Sequence, residues 1–319
     1  MTAPVGWGFL GAGYIARAAL APAVHSADGA ALVAAGAREV ARAAALGPHG
    51  AAYGSYDEVL ADPRVEAVYI ALANDDHLPW AERALAAGKH VLCEKPLGLT
   101  AAEVRTMAAT ARAADRLLVE ASWNRWHPRT RRAEALLRSG AIGAVRRVEA
   151  GFTFAGVAED NYRLDPARGG GALYDVGCYA TAAALWATGF TELQAVGATR
   201  RLSPTGVDLT TEAVLSFGSA EAFVRCSIDE DGGQWMSAEG DRGTLVLDGR
   251  AAFTSWLSPS TLTVTTAAEA RVEHFAPVDP YRLMVEHVSA AIRGAPGAWV
   301  LPLEESLRVA EALDLIRVA

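Results

Sequence analysis

A lysine flanked by an acid and a proline, Glu94-Lys95-Pro96, closes a short apolar stretch, Val91 to Cys93, that reads as a strand. At the carboxyl end of a strand in an open parallel sheet, such a lysine faces the ligand crevice, and the proline makes the segment rigid. Farther on, Gly169-Gly-Gly-Ala-Leu-Tyr-Asp175-Val-Gly-Cys-Tyr179 opens a helix on a run of glycines and sets an acid and a phenol four residues apart, on one helix face. Tyrosine has a reference pKa of about 10 and is a poor base at neutral pH unless a nearby cation stabilises the phenolate. Lys95 is a candidate for that cation.

These residues need elements to carry them. From the start to about residue 120, short apolar runs alternate with helix-length amphipathic segments, the pattern of βαβ units and a parallel sheet. The expected strands are Val5 to Leu10, Ala31 to Ala37, Ala67 to Ala73, His90 to Cys93 and Leu117 to Glu120, nearly all apolar as strands covered on both faces should be. Thr100-Ala-Ala-Glu103 has capping-box spacing and opens a helix to about Ala114. After a basic helix from Pro128 to near Gly140, the segments alternate polar and apolar: Arg146 to Phe154, Leu193 to Leu202, Leu209 to Phe217, Ala222 to Ile228, Thr244 to Leu247 and Leu262 to Thr266. They suit a mostly antiparallel sheet with one face covered, interrupted by a helix Ala172 to Thr188 and followed by helices Tyr281 to Arg293 and Glu304 to Val318. The fold class is α/β, with a dinucleotide-binding Rossmann domain over residues 1–121 and an open-faced α+β domain over residues 122–319.

Between the first strand and the first helix stands Gly11-Ala-Gly13-Tyr14-Ile15-Ala16. Here the G-x-G-x-x-A pattern has its required context: Gly11 for the tight turn, Gly13 for close approach to a pyrophosphate, Ala16 for helix packing. Tyr14 and Ile15 lie at the helix N-terminus, whose N–H groups attract phosphate. The second strand ends Ala35-Gly36-Ala37-Arg38, with no acid to hold the ribose 2′-hydroxyl of NAD. Arg38 therefore favours the 2′-phosphate of NADP, with NAD as second choice.

Composition narrows the partners. The chain has 319 residues, 29 Lys plus Arg against 37 Asp plus Glu, and a net charge of −8. That balance opposes nucleic acid and anionic membrane surfaces. No apolar run approaches the roughly 18 to 20 residues of a membrane helix. The opening Met1-Thr2-Ala3-Pro4 lacks the basic region of a signal peptide, so the expected location is the cytoplasm. Three widely spaced cysteines, Cys93, Cys178 and Cys226, suit reduced, buried thiols better than a disulfide framework or a zinc site, and no metal is expected.

Taken together, the chain resembles the Gfo/Idh/MocA oxidoreductases, a family named after glucose–fructose oxidoreductase, inositol dehydrogenase and a rhizopine-catabolism protein. The resemblance runs through Gly11 to Ala16, Ala71-Leu-Ala-Asn74, Glu94-Lys95-Pro96, Glu120-Ala121 with His127-Pro128, and Gly169 to Tyr179. It implies that Lys95 matches the catalytic lysine, Asp175 the substrate-binding carboxylate and Tyr179 the acid/base. It also implies that Asn74 lies in a cofactor-contacting loop and that the second domain's sheet forms a homodimer or homotetramer. Tyr179, with Asn161-Tyr-Arg163 upstream, is similar to the branch holding glucose–fructose oxidoreductase, D-xylose dehydrogenase and the dimeric dihydrodiol dehydrogenases. Ala73 departs from the family's usual proline before Asn74.

The activity so implied is reversible hydride transfer between NADP and a sugar, polyol or related diol. Alternatives within the family are trans-dihydrodiol dehydrogenase, an NAD-dependent glycosidase working through a transient redox step, and a regulatory NADP sensor without catalysis. Release of reduced cofactor separates a dehydrogenase from a glycosidase, and the presence of Lys95, Asp175 and Tyr179 argues against a sensor. His77 either contacts cofactor or substrate, or caps a helix starting near Pro79. Trp123, Trp126, Trp235 and Trp256 read as core or interface anchors, and Arg129, Arg131 and Arg132 as a solvated helix face.

Overall fold

A computed structural model describes residues 3–319, so the first two positions of the leader reading, Met1 and Thr2, lie outside the described residues. Two compact units divide the chain: one up to Gly98 with Ala102–Trp123 and Asp279–Ser306, the other Leu99–Ala101, Asn124–Val278 and Leu307–Ala319.

The first unit holds six strands, β1 (Val5–Leu10), β2 (Ala30–Gly36), β3 (Ala51–Tyr53), β4 (Ala67–Ile70), β5 (His90–Cys93) and β6 (Leu118–Glu120), in the order β3-β2-β1-β4-β5-β6. All pairings are parallel, which is the doubly wound dinucleotide-binding order. Every residue of β1 is buried, as a central strand covered on both faces requires. Register then fixes the site's baseline: Gly36 pairs Leu10, Leu10 pairs Ile70, Ile70 pairs Cys93 and Cys93 pairs Glu120. Arg38, Gly11, Asn74 and Lys95 each follow within a few residues of that row, at one edge of the sheet. The segment 279–306, which the sequence reading placed in the second domain, packs with this unit. Its helix Pro280–Ile292 brings Ser289 to the indole N–H of the buried Trp7 at 3.1 Å, and Arg293 just beyond grips Glu66 at 2.7 Å.

The second unit holds β7 (Val145–Thr153), β8 (Ala195–Leu202), β9 (Asp208–Ser216), β10 (Glu221–Ser227), β11 (Gly233–Gly240), β12 (Gly243–Leu247), β13 (Ser260–Thr266) and β14 (Ala270–Phe275). Their order is β14-β13-β12-β11-β7-β10-β9-β8, antiparallel except for β7 beside β10. One face carries the core, with Val148, Ala150, Val224, Met236 and Leu245 against Ala180, Ala183, Leu185 and Leu313 of the covering helices. The other face is open and mixed: Phe223, Trp235 and Val214 stand among the ion pairs Arg147–Glu149, Arg225–Glu212 and Arg225–Glu230. β3, β11 and β14 are strands that the sequence reading did not list.

Arg129 corrects another expectation. Rather than lying on a solvated face, Arg129 is 1% exposed and its guanidinium donates to the carbonyls of Asp248, Ala251 and Ala252 and to Ser255 Oγ at 2.8 to 3.2 Å. Burial pulls its pKa down to about 10, partly offset by the Asp248 carboxylate, so it stays charged at neutral pH and holds the turn after β12 through carbonyl and hydroxyl acceptors. Arg131 pairs with Glu134, and Arg132 bridges both oxygens of Glu273, so only these two meet solvent. Trp123 stacks on Tyr281 at 4.4 Å and Trp126 is buried, whereas Trp235 and Trp256 are half-buried.

Candidate active site

In the first unit the turn after β1 is built by glycines for two different reasons. Gly11 has φ +103° and donates its N–H to Gly36 O at 3.0 Å, and a Cβ there would lie 2.5 Å from Ala71 O. Protein packing requires it. At Gly13 a Cβ would meet nothing of the protein nearer than Ala71 O at 3.9 Å, so the chain itself leaves that space open. A bare backbone beside free space, at the first turn of a helix, is what a bound pyrophosphate needs. Ala16 is fully buried beneath, Ile15 is half-buried, and Tyr14 is 77% exposed.

At the end of β2, Arg38 is exposed. Burial raises the pKa of the Tyr56 phenol, and the guanidinium groups of Arg38 and Arg42 oppose that rise, which locates both cations near it. Arg42, which the sequence reading did not single out, also donates to Ala12 O of the glycine turn at 3.0 Å. The donor set of exposed N–H groups and two guanidiniums fits a phosphate-bearing dinucleotide.

Asn74 is buried in a one-turn 3₁₀ segment, Asn74–Asp76, just after β4. The preceding Ala73 has φ −72°, the value a proline would impose, so the departure from the family's proline leaves the loop geometry in place. His77 opens the helix His77–Ala86 rather than capping one at Pro79. Its ring is fully buried between Pro96 O at 2.8 Å and Leu72 O at 3.3 Å, and burial holds its pKa down to about 4. It is therefore neutral at pH 7, with one ring N–H that only one of the two carbonyls can accept.

Glu94 is also buried; it accepts from the Tyr69 hydroxyl at 2.6 Å, while Glu120 accepts from Leu97 N at 3.1 Å. Between Val91 and Gly98 every residue is buried except Lys95, which is half-buried, so the end of β5 presents one side chain outward.

The second unit carries Asp175 and Tyr179. A π-helical turn, Leu173–Gly177, leads into the α-helix Cys178–Ala187. Asp175 is 5% exposed and takes a bidentate ion pair from Arg163, with Nε to Oδ2 at 2.6 Å and Nη2 to Oδ1 at 3.0 Å. Tyr179 is 8% exposed, its ring packed against Phe152 at 5.5 Å and Phe253 at 6.1 Å. The sequence reading used Arg163 only as a branch signature, because nothing in the chain's spacing announces a salt bridge across a loop. Cys93, Cys178 and Cys226 are free and buried, and burial pushes the thiols of Cys93 and Cys226 well up. Among the described residues, no cluster of His, Cys, Asp or Glu is arranged for a metal, and no helix is long and apolar enough to cross a membrane.

A nucleotide-ready parallel sheet with a lysine at its carboxyl edge, joined in one chain to an open-sheet unit bearing an acid and a phenol, defines an NAD(P)-dependent oxidoreductase. The chain belongs to the Gfo/Idh/MocA oxidoreductases: residues 5–122 match that family's NAD-binding Rossmann fold, and residues 130–246 match its C-terminal domain. It is 35% identical to the NADP-dependent D-xylose 1-dehydrogenase 2 of Haloferax volcanii, over 97% of this chain and 95% of that one. It is 33% identical to the trans-1,2-dihydrobenzene-1,2-diol dehydrogenase of Mus musculus, over 98% and 96%. Among solved structures, a mutant 3-ketoreductase from Actinomadura kijaniata, in complex with TDP-benzene and NADP, superposes with a TM-score of 0.88 at 27% identity, covering 99% of this chain and 97% of that one.

Proposed function

We propose that this enzyme prefers NADP and transfers a hydride to or from a sugar, polyol or related diol. The observation that carries the reading is the single row of strand ends from which Gly11, Arg38, Asn74 and Lys95 all issue. When bound, NADP would supply the hydride acceptor or donor. It would be held by the N–H groups after Gly11, by the open space at Gly13 with Tyr14 and Ile15 at the helix start, and by Arg38 with Arg42 at the 2′-phosphate. Asn74, His77 and Glu94 shape the neighbouring loops. Tyr179 exchanges the hydroxyl proton, and Lys95 supplies the cation that favours the phenolate. Asp175 binds a neighbouring hydroxyl, as a carboxylate whose plane is fixed by the two bonds from Arg163. A second reading, oxidation of trans-dihydrodiols, is supported by the mouse relative. We further propose that the open face of the second sheet is the surface through which copies of the chain associate, and that the three free thiols reflect a reducing, cytoplasmic setting.

The test is a panel of aldoses, inositols and diols with both cofactors, following reduced cofactor released into solution. The expected result is turnover with NADP on a sugar or diol, and a loss of about 10² to 10⁴ in kcat for Tyr179→Phe with unchanged NADP affinity. A Tyr179→Phe enzyme with near-wild-type kcat would remove Tyr179 from the reaction.

A further inference from the structure

Arg163 is fixed at both ends. Its main-chain carbonyl accepts from Gly171 N at 2.9 Å, and a Cβ on Gly170 would lie 2.5 Å from the same oxygen, so the glycine run exists in part to let the helix start close on this residue. Its backbone N–H donates to Asn161 Oδ1 at 3.0 Å, and its guanidinium lies 5.0 Å from the Tyr162 ring centroid. Its head makes the two bonds to Asp175 described above, a fork that fixes the plane of the carboxylate as well as its distance. A carboxylate this buried stays ionised only if its charge is met.

Tyr179 follows Asp175 by four residues. The neighbours given by β7 and by the segment after β12 are the apolar rings of Phe152 and Phe253. Arg163, from the loop, interacts electrostatically with the phenol, and Asp175, its ion-pair partner, lies four residues before Tyr179 in the turn that leads into its helix. Burial is the largest effect on Arg163 and works against its charge, but Asp175 together with the phenols of Tyr162 and Tyr179 outweighs it and raises the pKa.

We propose that Arg163 is a positioning residue for the proton transfer at Tyr179, holding Asp175 ionised in one orientation and balancing its charge beside the phenol. The role in catalysis rests on the reading of Tyr179 as the acid/base. Without Arg163, the ionised Asp175 would oppose a second negative charge on Tyr179 and would no longer be held in one plane for a substrate hydroxyl.

The phenol can be watched directly, without substrate or cofactor, by ultraviolet pH titration of the full chain, each protein being paired with its Tyr179→Phe counterpart so that the difference reports Tyr179 alone. Lys95 is present throughout and cancels from the comparison between variants. The expected midpoint rises by about one pH unit in Arg163→Gln, falls in Asp175→Asn and lies between in the double variant, while Arg163→Lys stays near wild type. An unmoved midpoint in folded Arg163→Gln overturns the proposal. Should that variant not fold, an unmoved midpoint in Asp175→Asn does so. The reading of Tyr179 fails separately, if the pH limb of NADP-dependent oxidation survives in Tyr179→Phe.

Discussion

Gly11 and Gly13 stand two residues apart, yet a methyl group has different consequences at each. Gly11→Ala forces a side chain into a positive-φ position against a carbonyl, so the apoprotein should melt several degrees lower. Gly13→Ala meets only ordinary contact distance, so the apoprotein should melt as wild type while NADP binding weakens at least tenfold; calorimetry and a fluorescence titration read the two effects. Arg38→Ala should weaken NADP by about 1.5 to 3 kcal/mol, the strength of a charge-assisted hydrogen bond, and leave NAD nearly unchanged. Equal losses for both cofactors in the same titration would remove Arg38 from the 2′-phosphate. The tight turn at Gly11 was legible because its chemistry is local and acts at its own backbone position. Arg42, Arg129 and Arg163 were not, because their partners lie across a turn, a loop or, for Arg129, some 120 residues away.

Elements with a strong period were found with few errors. Val5–Leu10 and His90–Cys93 fall where their apolar runs put them, and Pro280–Ile292 lies within a residue of its expected bounds. β11 escaped because Gly-Gln-Trp-Met-Ser-Ala-Glu-Gly turns only Met236 and Ala238 into the core, and β14 because an edge strand with every other residue exposed buries too little to leave a signature. Two buried histidines make stability respond to pH. His127 caps the helix Pro128–Arg138 by accepting from Arg129 N at 3.0 Å, which requires an unprotonated Nδ1, and burial holds its pKa down to about 4, as at His77. A histidine with a lowered folded pKa binds its proton more readily when unfolded, so its contribution is complete above the ordinary histidine value of 6.5 and is lost as the pH falls toward 4. Between pH 7 and pH 5 each should cost about 2 kcal/mol of stability. Urea unfolding of His127→Asn, which keeps a capping acceptor, should show a shallower fall over that range than wild type.

At the scale of the whole chain, the open sheet face sets the expected assembly. Its Val214 is 46% exposed beside Phe223, and such a surface on an otherwise covered sheet is the natural place for a two-fold contact. Light scattering at micromolar concentration should give a dimer or tetramer, and Val214→Glu should shift the mass toward the monomer; a wild-type monomer would refute the contact. The position of β7 has a further consequence, in time rather than space. This strand is the earliest of its sheet to leave the ribosome, yet both its neighbours, β10 and β11, come 68 or more residues later. The hairpins on either side can form from nearby sequence, whereas the seam that joins them must wait, its backbone groups held by water. The first unit waits longer still, since the Trp7 indole meets Ser289 across 282 residues. A ribosome that stalls before the helix Pro280–Ile292 has emerged therefore holds an unfinished first unit, so chaperone demand during synthesis should persist at least until that helix is free.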